Sequence, residues 1–188
     1  FIATKKTNPL PIILQEQNSF PGVTTRWFAK HAKSICIAFN ESESKLGEKI
    51  IHTGNPIRKD ISHGDKKRGY HEYNLRSNCK TIFLFGGSQG SAYLNKMMGL
   101  IAKNISNAGI QIIWQTGDME YSKYKDLETN KIRIIPFINN MPDAYAISDL
   151  IICRSGALTL AEITVCGKPS ILVPFPYAAG DHQTKNAQ

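Results

Sequence analysis

The run from Arg154 to Glu162 carries the residue types of an anion-binding turn. It follows an apolar stretch, and the small residues Ser155, Gly156 and Ala157 would let a ligand approach the backbone closely. If a helix begins here, the amides of its first turn and the positive end of its dipole would face that ligand. Glu162, one turn further on, would accept hydrogen bonds from the vicinal hydroxyls of a ribose. In this interpretation the run binds an anion and a ribose.

The same run also has a purely structural interpretation. Ser155 or Thr159 could cap the helix, with Glu162 as the capping-box partner. Either interpretation accounts for these residues, and the segment by itself leaves both open.

A second polar loop, Gly86-Gly87-Ser88-Gln89-Gly90, follows another apolar stretch. Its spacing does not fit G-x-G-x-x-G, and it lacks the Gly-Lys-Ser/Thr ending of a P-loop. The pattern therefore disfavours a dinucleotide fingerprint and a nucleoside triphosphatase. The loop is either a tight turn between strand and helix or a surface whose backbone and Ser88 hydroxyl face a diphosphate or sugar. Two such loops at neighbouring strand ends favour the second interpretation.

A third polar cluster lies at residues 181–186. Gln183 and Asn186 are three residues apart and would share one face of a helix. Their amides could recognise sugar hydroxyls, although a solvated helix start explains them equally well.

The elements that must position these loops alternate along the chain. After residue 80, apolar strands are predicted at 81–85, 110–115, 132–135, 150–153 and 170–174, separated by helices at 91–106, 121–127, 141–148 and 157–166. Before it, strands are predicted at 11–14, 34–39 and 49–53, with a helix at 24–31. Continuous apolar strands separated by helices indicate an α/β fold with a parallel sheet covered on both faces. Such doubly wound, Rossmann-like domains bind ligands outside the carboxyl ends of their strands.

The composition is that of a globular protein, with 41% hydrophobic and 20% charged residues among 188. No apolar stretch approaches the roughly 20 residues that a membrane-spanning helix needs. The four cysteines form no C-x-x-C pair and the five histidines no H-E-x-x-H spacing, so we expect buried free thiols in a reducing compartment and no metal site.

Half of the net charge of +8 lies in residues 58–80, which contain seven basic and three acidic residues. This stretch is predicted to be a connector. Its charge fits a solvated linker, or attraction to an anionic membrane surface or a phosphorylated ligand. Nucleic acid is disfavoured because no basic run resembles a known nucleic-acid-binding module.

Taken together, the motifs resemble those of the bacterial MurG family, the N-acetylglucosaminyltransferases that complete the lipid-linked peptidoglycan precursor. They occur in family order and spacing over essentially the whole chain: Gln17-Asn18, Thr53-Gly54-Asn55-Pro56-Ile57-Arg58, Gly86-Gly87-Ser88-Gln89-Gly90-Ser91, Trp114-Gln115-Thr116-Gly117 and Cys153-Arg154-Ser155-Gly156-Ala157-Leu158-Thr159.

The resemblance implies a GT-B fold, in which two Rossmann-like domains face each other across a cleft. Residues 1–57 would be the later part of an incomplete acceptor domain, and 58–188 a nearly complete UDP-sugar donor domain. The implied reaction moves N-acetylglucosamine from UDP-N-acetylglucosamine to undecaprenyl-pyrophosphoryl-muramyl-pentapeptide, with inversion and without a metal or other cofactor. The implied location is peripheral, on the cytoplasmic face of the bacterial inner membrane, in contact with its anionic surface.

The resemblance also implies individual roles. Ile138 would meet the uracil through its backbone, Glu162 would hold the ribose, and Ser88 and Arg58 would approach the phosphates or the cleft. Asn18 and Gln183 would read the sugar. The diphosphate would meet backbone amides in the substrate-binding run Ala157, Leu158, Thr159, Leu160 and Ala161.

Two departures from the family limit these expectations. Gln15 stands where the family usually has His, and the family's glycine-rich loop and base histidine would precede Phe1. We therefore expect a piece that binds the donor but does not catalyse transfer, with the catalytic base unassigned. Another two-domain UDP-sugar enzyme, such as a lipid glucosyltransferase or UDP-N-acetylglucosamine 2-epimerase, is the alternative enzyme. A UDP-binding module without chemistry is the alternative of another class.

Overall fold

The computed structural model describes residues 10–188. Contacts divide the chain into two units, one comprising Phe1–Pro56 with Phe175–Gln188 and the other Ile57–Pro174. None of the helices in the described part of the chain is long and apolar enough to span a membrane.

The larger unit contains a five-stranded, wholly parallel sheet in the order β6-β5-β4-β7-β8. Its strands are β4 (Thr81–Phe85), β5 (Gln111–Gln115), β6 (Ile132–Ile135), β7 (Leu150–Cys153) and β8 (Ser170–Leu172). Its helices are α2 (Lys66–Glu72), α3 (Ala92–Asn107), α4 (Asp118–Tyr124), α5 (Met141–Ile147) and α6 (Ala157–Val165). The predicted alternation of strands and helices after residue 80 is confirmed.

Side chains on successive strand residues point to opposite faces of this sheet, and each face has its own core. Phe83 and Phe85 pack with Tyr145 of α5 and Ile163 of α6. Leu84 packs on the other side with residues of α3. Both faces are covered, which explains why the strands are mainly apolar.

Ser91 caps the start of helix α3, and its hydroxyl accepts a hydrogen bond from the Leu94 amide. The buried face of α3 includes Leu94, Asn95 and Met98, whereas Ile101 is 45% exposed. The buried face is rotated towards Asn95 because that amide joins the core through hydrogen bonds to Trp114 and Thr116.

The interpretation of residues 58–80 as a connector is wrong for part of the stretch. Helix α2 lies within it, capped by the side chain of Asp65. The helix packs against α5 through Gly69. The buried carboxylate of Asp143 accepts hydrogen bonds from the Asp65 amide at 2.7 Å and from the Arg68 guanidinium. The sequence analysis missed this packing face because most residues of the helix are charged or polar.

The smaller unit has a three-stranded parallel sheet, β1-β2-β3, formed by Ile13–Glu16, Ser34–Ile37 and Ile50–His52. Helix α1 (Val23–Phe28) follows β1, and α7 (His182–Asn186) lies near the end of the chain. The side-chain oxygen of Asn186 accepts hydrogen bonds from the amide and hydroxyl of Ser19, both at 3.0 Å. These bonds explain why residues 175–188 belong to this unit by contact. The sequence analysis assigned the same residues to the second domain. The domain boundary at residue 58 stays a prediction.

Candidate anion-binding site

The carboxyl ends of the five parallel strands of the larger unit lie at one edge of the sheet. Strand β4 pairs with β5 on one side and with β7 on the other, so the strand order reverses at β4. A ligand crevice is expected at such a reversal. The loops after β4 and β7, residues 86–91 and 154–156, flank it, and they are the two loops singled out from the sequence.

Two glycines let the loops after β4 and β5 touch through their backbones. Gly90 and Gly117 have φ angles of +76° and +82°, a region that L side chains rarely adopt. A Cβ on Gly90 would lie 1.9 Å from the Thr116 carbonyl oxygen, and one on Gly117 would lie 2.2 Å from that of Gln89. Only glycine at both positions permits this contact.

Gln115, the last residue of β5, joins two further loops. This residue is buried, with 3% of its surface exposed. Its amide nitrogen donates to the carbonyl oxygen of Gly87 at 2.9 Å, and its amide oxygen accepts from the Ile138 backbone N–H at 2.9 Å. One side chain therefore sets the spacing between the glycine-rich loop and the segment after β6.

Arg154 connects the remaining loops. Its guanidinium donates to the carbonyl oxygens of Val173 and Pro174, at 3.1 and 2.8 Å, and to the hydroxyl of Ser91 at 3.0 Å. Burial lowers the pKa of this guanidinium, but arginine stays charged at physiological pH. The residue both holds the loops after β4 and β8 together and places a positive charge beside them.

The start of α6 matches the predicted anion site. Gly156 is the N-cap, and the first hydrogen bond within the helix runs from the Leu160 amide to the Gly156 carbonyl at 3.0 Å. The amides of Ala157, Leu158 and Thr159 therefore precede the first helical hydrogen bond and lie at the positive end of the dipole. The runs 86–91 and 154–161 contain no Asp or Glu, so no carboxylate within them opposes an anion.

The capping-box interpretation of Glu162 is wrong. With Gly156 as N-cap, Glu162 is the sixth residue of the helix, beyond the position from which a capping box forms. Its carboxylate instead accepts a hydrogen bond from the Tyr145 hydroxyl at 2.9 Å. Glu162 lies on the same face as Leu158 and Thr159, which precede it by four and three residues.

The other predicted residues of the larger unit lie in separate loops. Ser88 is exposed at the tip of the loop after β4. Ile138 is buried after β6, with its N–H engaged by Gln115. Arg58 is exposed before α2.

Asn18 and Gln183 belong to the smaller unit. The Asn18 side-chain oxygen accepts from the Asn186 amide at 3.2 Å, and the Gln183 side-chain oxygen accepts from the Phe175 backbone N–H at 2.9 Å. Both amides thus have internal partners that orient them.

The cysteines are all free, but only Cys153 is buried, so the expectation of four buried thiols is wrong for the other three. In the described part of the chain, no group of three or more His, Cys, Asp or Glu side chains is placed to hold a metal ion.

With this geometry established, comparison with known proteins identifies the family. Residues 81–188 match the profile described as Glycosyltransferase family 28 C-terminal domain. The chain belongs to this family. The matched range begins with β4 and includes the loops at 86–91 and 154–156 as well as Glu162.

Two curated relatives of this family 28 chain carry the name UDP-N-acetylglucosamine–N-acetylmuramyl-(pentapeptide) pyrophosphoryl-undecaprenol N-acetylglucosamine transferase. The protein from Cytophaga hutchinsonii is 43% identical over 93% of this chain and 48% of its own length. The protein from Flavobacterium psychrophilum is 42% identical over 94% of this chain and 49% of its own. The chain thus spans about half the length of the curated relatives it matches.

Among solved structures, MurG of Acinetobacter baumannii aligns with a TM-score of 0.69 and 32% identity, over 94% of this chain and 49% of that one. The kitacinnamycin glycosyltransferase aligns at 0.61 over 84% of this chain and 39% of its own, and at 12% identity it shows the fold alone. The predicted MurG resemblance and the predicted GT-B type of fold are confirmed.

Three residues of the family 28 site carried no role in the sequence interpretation: Gln115, Tyr145 and Arg154. Gln115 and Arg154 lie within the quoted motifs. Each is a polar residue at the end of an apolar strand, and this position could have indicated that it joins loops at the edge of the sheet. Tyr145 gave none, because a tyrosine within a helical apolar pattern is typical of the core.

Proposed function

We propose that this chain supplies the donor-binding part of a transferase that moves N-acetylglucosamine from UDP-N-acetylglucosamine to a lipid-linked muramyl-pentapeptide. Membership of glycosyltransferase family 28 supports the reaction class. The shared name of its relatives supports the donor and the acceptor. The observation that carries the proposal is the joining of the strand-end loops beside the amides of α6 and Glu162.

The donor diphosphate would lie at the start of α6, where the amides of Ala157, Leu158 and Thr159 face it. Leu160 and Ala161 complete this turn, and the exposed Ser88 hydroxyl would approach a phosphate from the opposite loop. Glu162 would accept hydrogen bonds from the ribose hydroxyls. Because Gln115 occupies the Ile138 N–H, the Ile138 carbonyl oxygen is the backbone group best suited to accept from uracil N3–H.

This arrangement would assist departure of UDP. Negative charge develops on the diphosphate as the bond to the sugar breaks, and the amides and helix dipole are already oriented towards that charge. Arg154 adds a fixed positive charge at the same edge. We assign a single displacement with inversion, in which the acceptor oxygen bonds to the anomeric carbon as the bond from that carbon to the UDP oxygen breaks. The hydroxyl proton passes to a base, and none of the residues named above is assigned that role.

The rest of the proposal concerns residues outside this cluster and the cellular setting. Asn18 and Gln183 would recognise the sugar, and Arg58 would approach the phosphates. An acceptor bound to undecaprenol resides in a membrane, so transfer would take place at the membrane surface, on its cytoplasmic side where UDP-sugars are available. The net charge of +8 would favour an anionic surface there.

Titration calorimetry with UDP-N-acetylglucosamine and UDP-glucose tests the donor assignment. We expect tighter binding of the first. The Glu162→Ala variant should weaken binding at least about tenfold, because a hydrogen bond to a charged group contributes about 1.5–3 kcal/mol. Asp126→Ala, which removes an exposed carboxylate between α4 and β6 at the opposite edge of the sheet, is the matched control. Equal affinity for the two sugars would contradict the assignment of the donor.

A further inference from the structure

The Tyr145 hydroxyl donates a hydrogen bond to Glu162, whose carboxylate is proposed to bind the ribose hydroxyls. We infer that Tyr145 is a positioning residue that holds Glu162 in the orientation needed by the two hydroxyls of a nucleotide ribose. This inference rests on the proposed function, since it concerns how the same site binds its nucleotide.

The tyrosine hydroxyl is held in place by the packing of its ring. Tyr145 is 1% exposed, and its ring meets those of Phe83 and Phe85 edge-on, with centroids 5.8 and 6.2 Å away. Both phenylalanines belong to β4, the central strand of the sheet. From this rigid core, the hydroxyl donates to Oε2 of Glu162 at 2.9 Å.

The direction of this hydrogen bond does not change with pH in the working range. Burial, followed by the negative charge of Glu162, raises the pKa of Tyr145 well above its ordinary value. The phenol is therefore neutral and remains a donor. A carboxylate has about four acceptor positions, and the tyrosine uses one, so enough remain for both hydroxyls of a ribose.

Holding the carboxylate in advance lowers the entropic cost of binding. A free glutamate side chain samples several rotamers, and a ligand that needs one of them must bear the cost of ordering it. The bond from Tyr145 restrains Glu162 before a nucleotide arrives. The benefit should therefore appear only with ligands that carry ribose hydroxyls.

A second tyrosine in the same core provides a matched control. Tyr73 is also buried among the residues that surround Phe83 and Phe85. Its hydroxyl has no hydrogen-bond partner in the described part of the chain. Replacing either tyrosine by phenylalanine removes one buried hydroxyl from one core, but only Tyr145→Phe releases Glu162.

The test compares UDP with 2′,3′-dideoxy-UDP by calorimetry. The wild-type chain should prefer UDP, and the ratio of the two dissociation constants measures how well the ribose hydroxyls are read. Tyr145→Phe should reduce that ratio by roughly threefold to tenfold, the range expected for one hydrogen bond. Tyr73→Phe should leave it unchanged, and Glu162→Ala should abolish it.

The outcomes separate the inference from the proposed function. If the wild-type chain binds neither nucleotide, the proposed donor site fails and the role of Tyr145 with it. If the wild-type chain prefers UDP and Tyr145→Phe keeps the same ratio, only the role of Tyr145 is overturned. Phenylalanine preserves the ring contacts, and near-ultraviolet circular dichroism with thermal unfolding verifies that each variant is folded.

Discussion

The contact between Gly90 and the loop after β5 allows a quantitative test of the site's architecture. We expect Gly90→Ala to destabilise the larger unit far more than Gly87→Ala does, although both lie in one loop. Gly87 has a φ angle of +89° with no atom within 4 Å of an added Cβ, so alanine there adds backbone strain alone. Gly90 has similar backbone strain, and its Cβ would also overlap the Thr116 carbonyl.

The structure sets the size of the difference. A left-handed conformation costs an alanine about 1–2 kcal/mol, which is the whole effect expected at Gly87. At Gly90 the two loops must also separate by roughly 1 Å, because the added Cβ would lie 1.9 Å from the oxygen. That oxygen accepts from Asn95, which in turn binds the Trp114 indole N–H. Overpacking of this kind costs about 1–3 kcal/mol more, for a total of about 2–5 kcal/mol.

Urea unfolding followed by tryptophan fluorescence is the measurement. Trp114 is fully buried in the larger unit, whereas Trp27 is 71% exposed in the smaller one, so the change in emission reports mainly on Trp114. Equal loss of unfolding free energy in the two variants would refute the close contact. Adding Gly117→Ala to Gly90→Ala should cost at least about 1 kcal/mol less than the sum of the single changes, because one contact is opened only once.

Three further outcomes follow from single side chains. Gln115→Ala frees both the Gly87 carbonyl and the Ile138 N–H, so calorimetry should show UDP binding weakened about tenfold and the unfolding free energy lowered by about 1–3 kcal/mol. The hydrogen bond from the Arg68 guanidinium lowers the pKa of Asp143. The stability that this carboxylate contributes is therefore complete above its ordinary pKa of about 4 and is lost as pH falls through the lower folded-state value. Urea unfolding should show Asp143→Asn less stable than the wild type at pH 7 and equally stable at strongly acidic pH. Burial raises the pKa of Cys153 to about 12, so its thiol should resist an aromatic disulfide reagent at pH 8 until urea is added, as measured by mass spectrometry of the labelled peptides.

Much of the fold was predictable because its signals are local. The strands of the larger unit are short apolar runs between polar turns, so the parallel sheet and the loops at its edge could be inferred from the order of elements alone. Helix α2 was missed because five of its seven residues are Lys, Arg, His or Glu, while its packing depends on Gly69 fitting against α5.

The sequence by itself determined the residue types of the site: small residues and amides at the start of α6, a carboxylate one turn later, and glycines after β4. It left open whether Glu162 caps a helix or reads a ribose, since both uses need the same residue at similar spacing. The structure decided against the cap, because α6 begins after Gly156 and places Glu162 beyond the capping-box position, and because Tyr145 of another helix donates to that carboxylate. It likewise showed Gln115 and Arg154 joining loops far apart in the sequence. Such contacts depend on the packing of whole elements, and no local pattern encodes them.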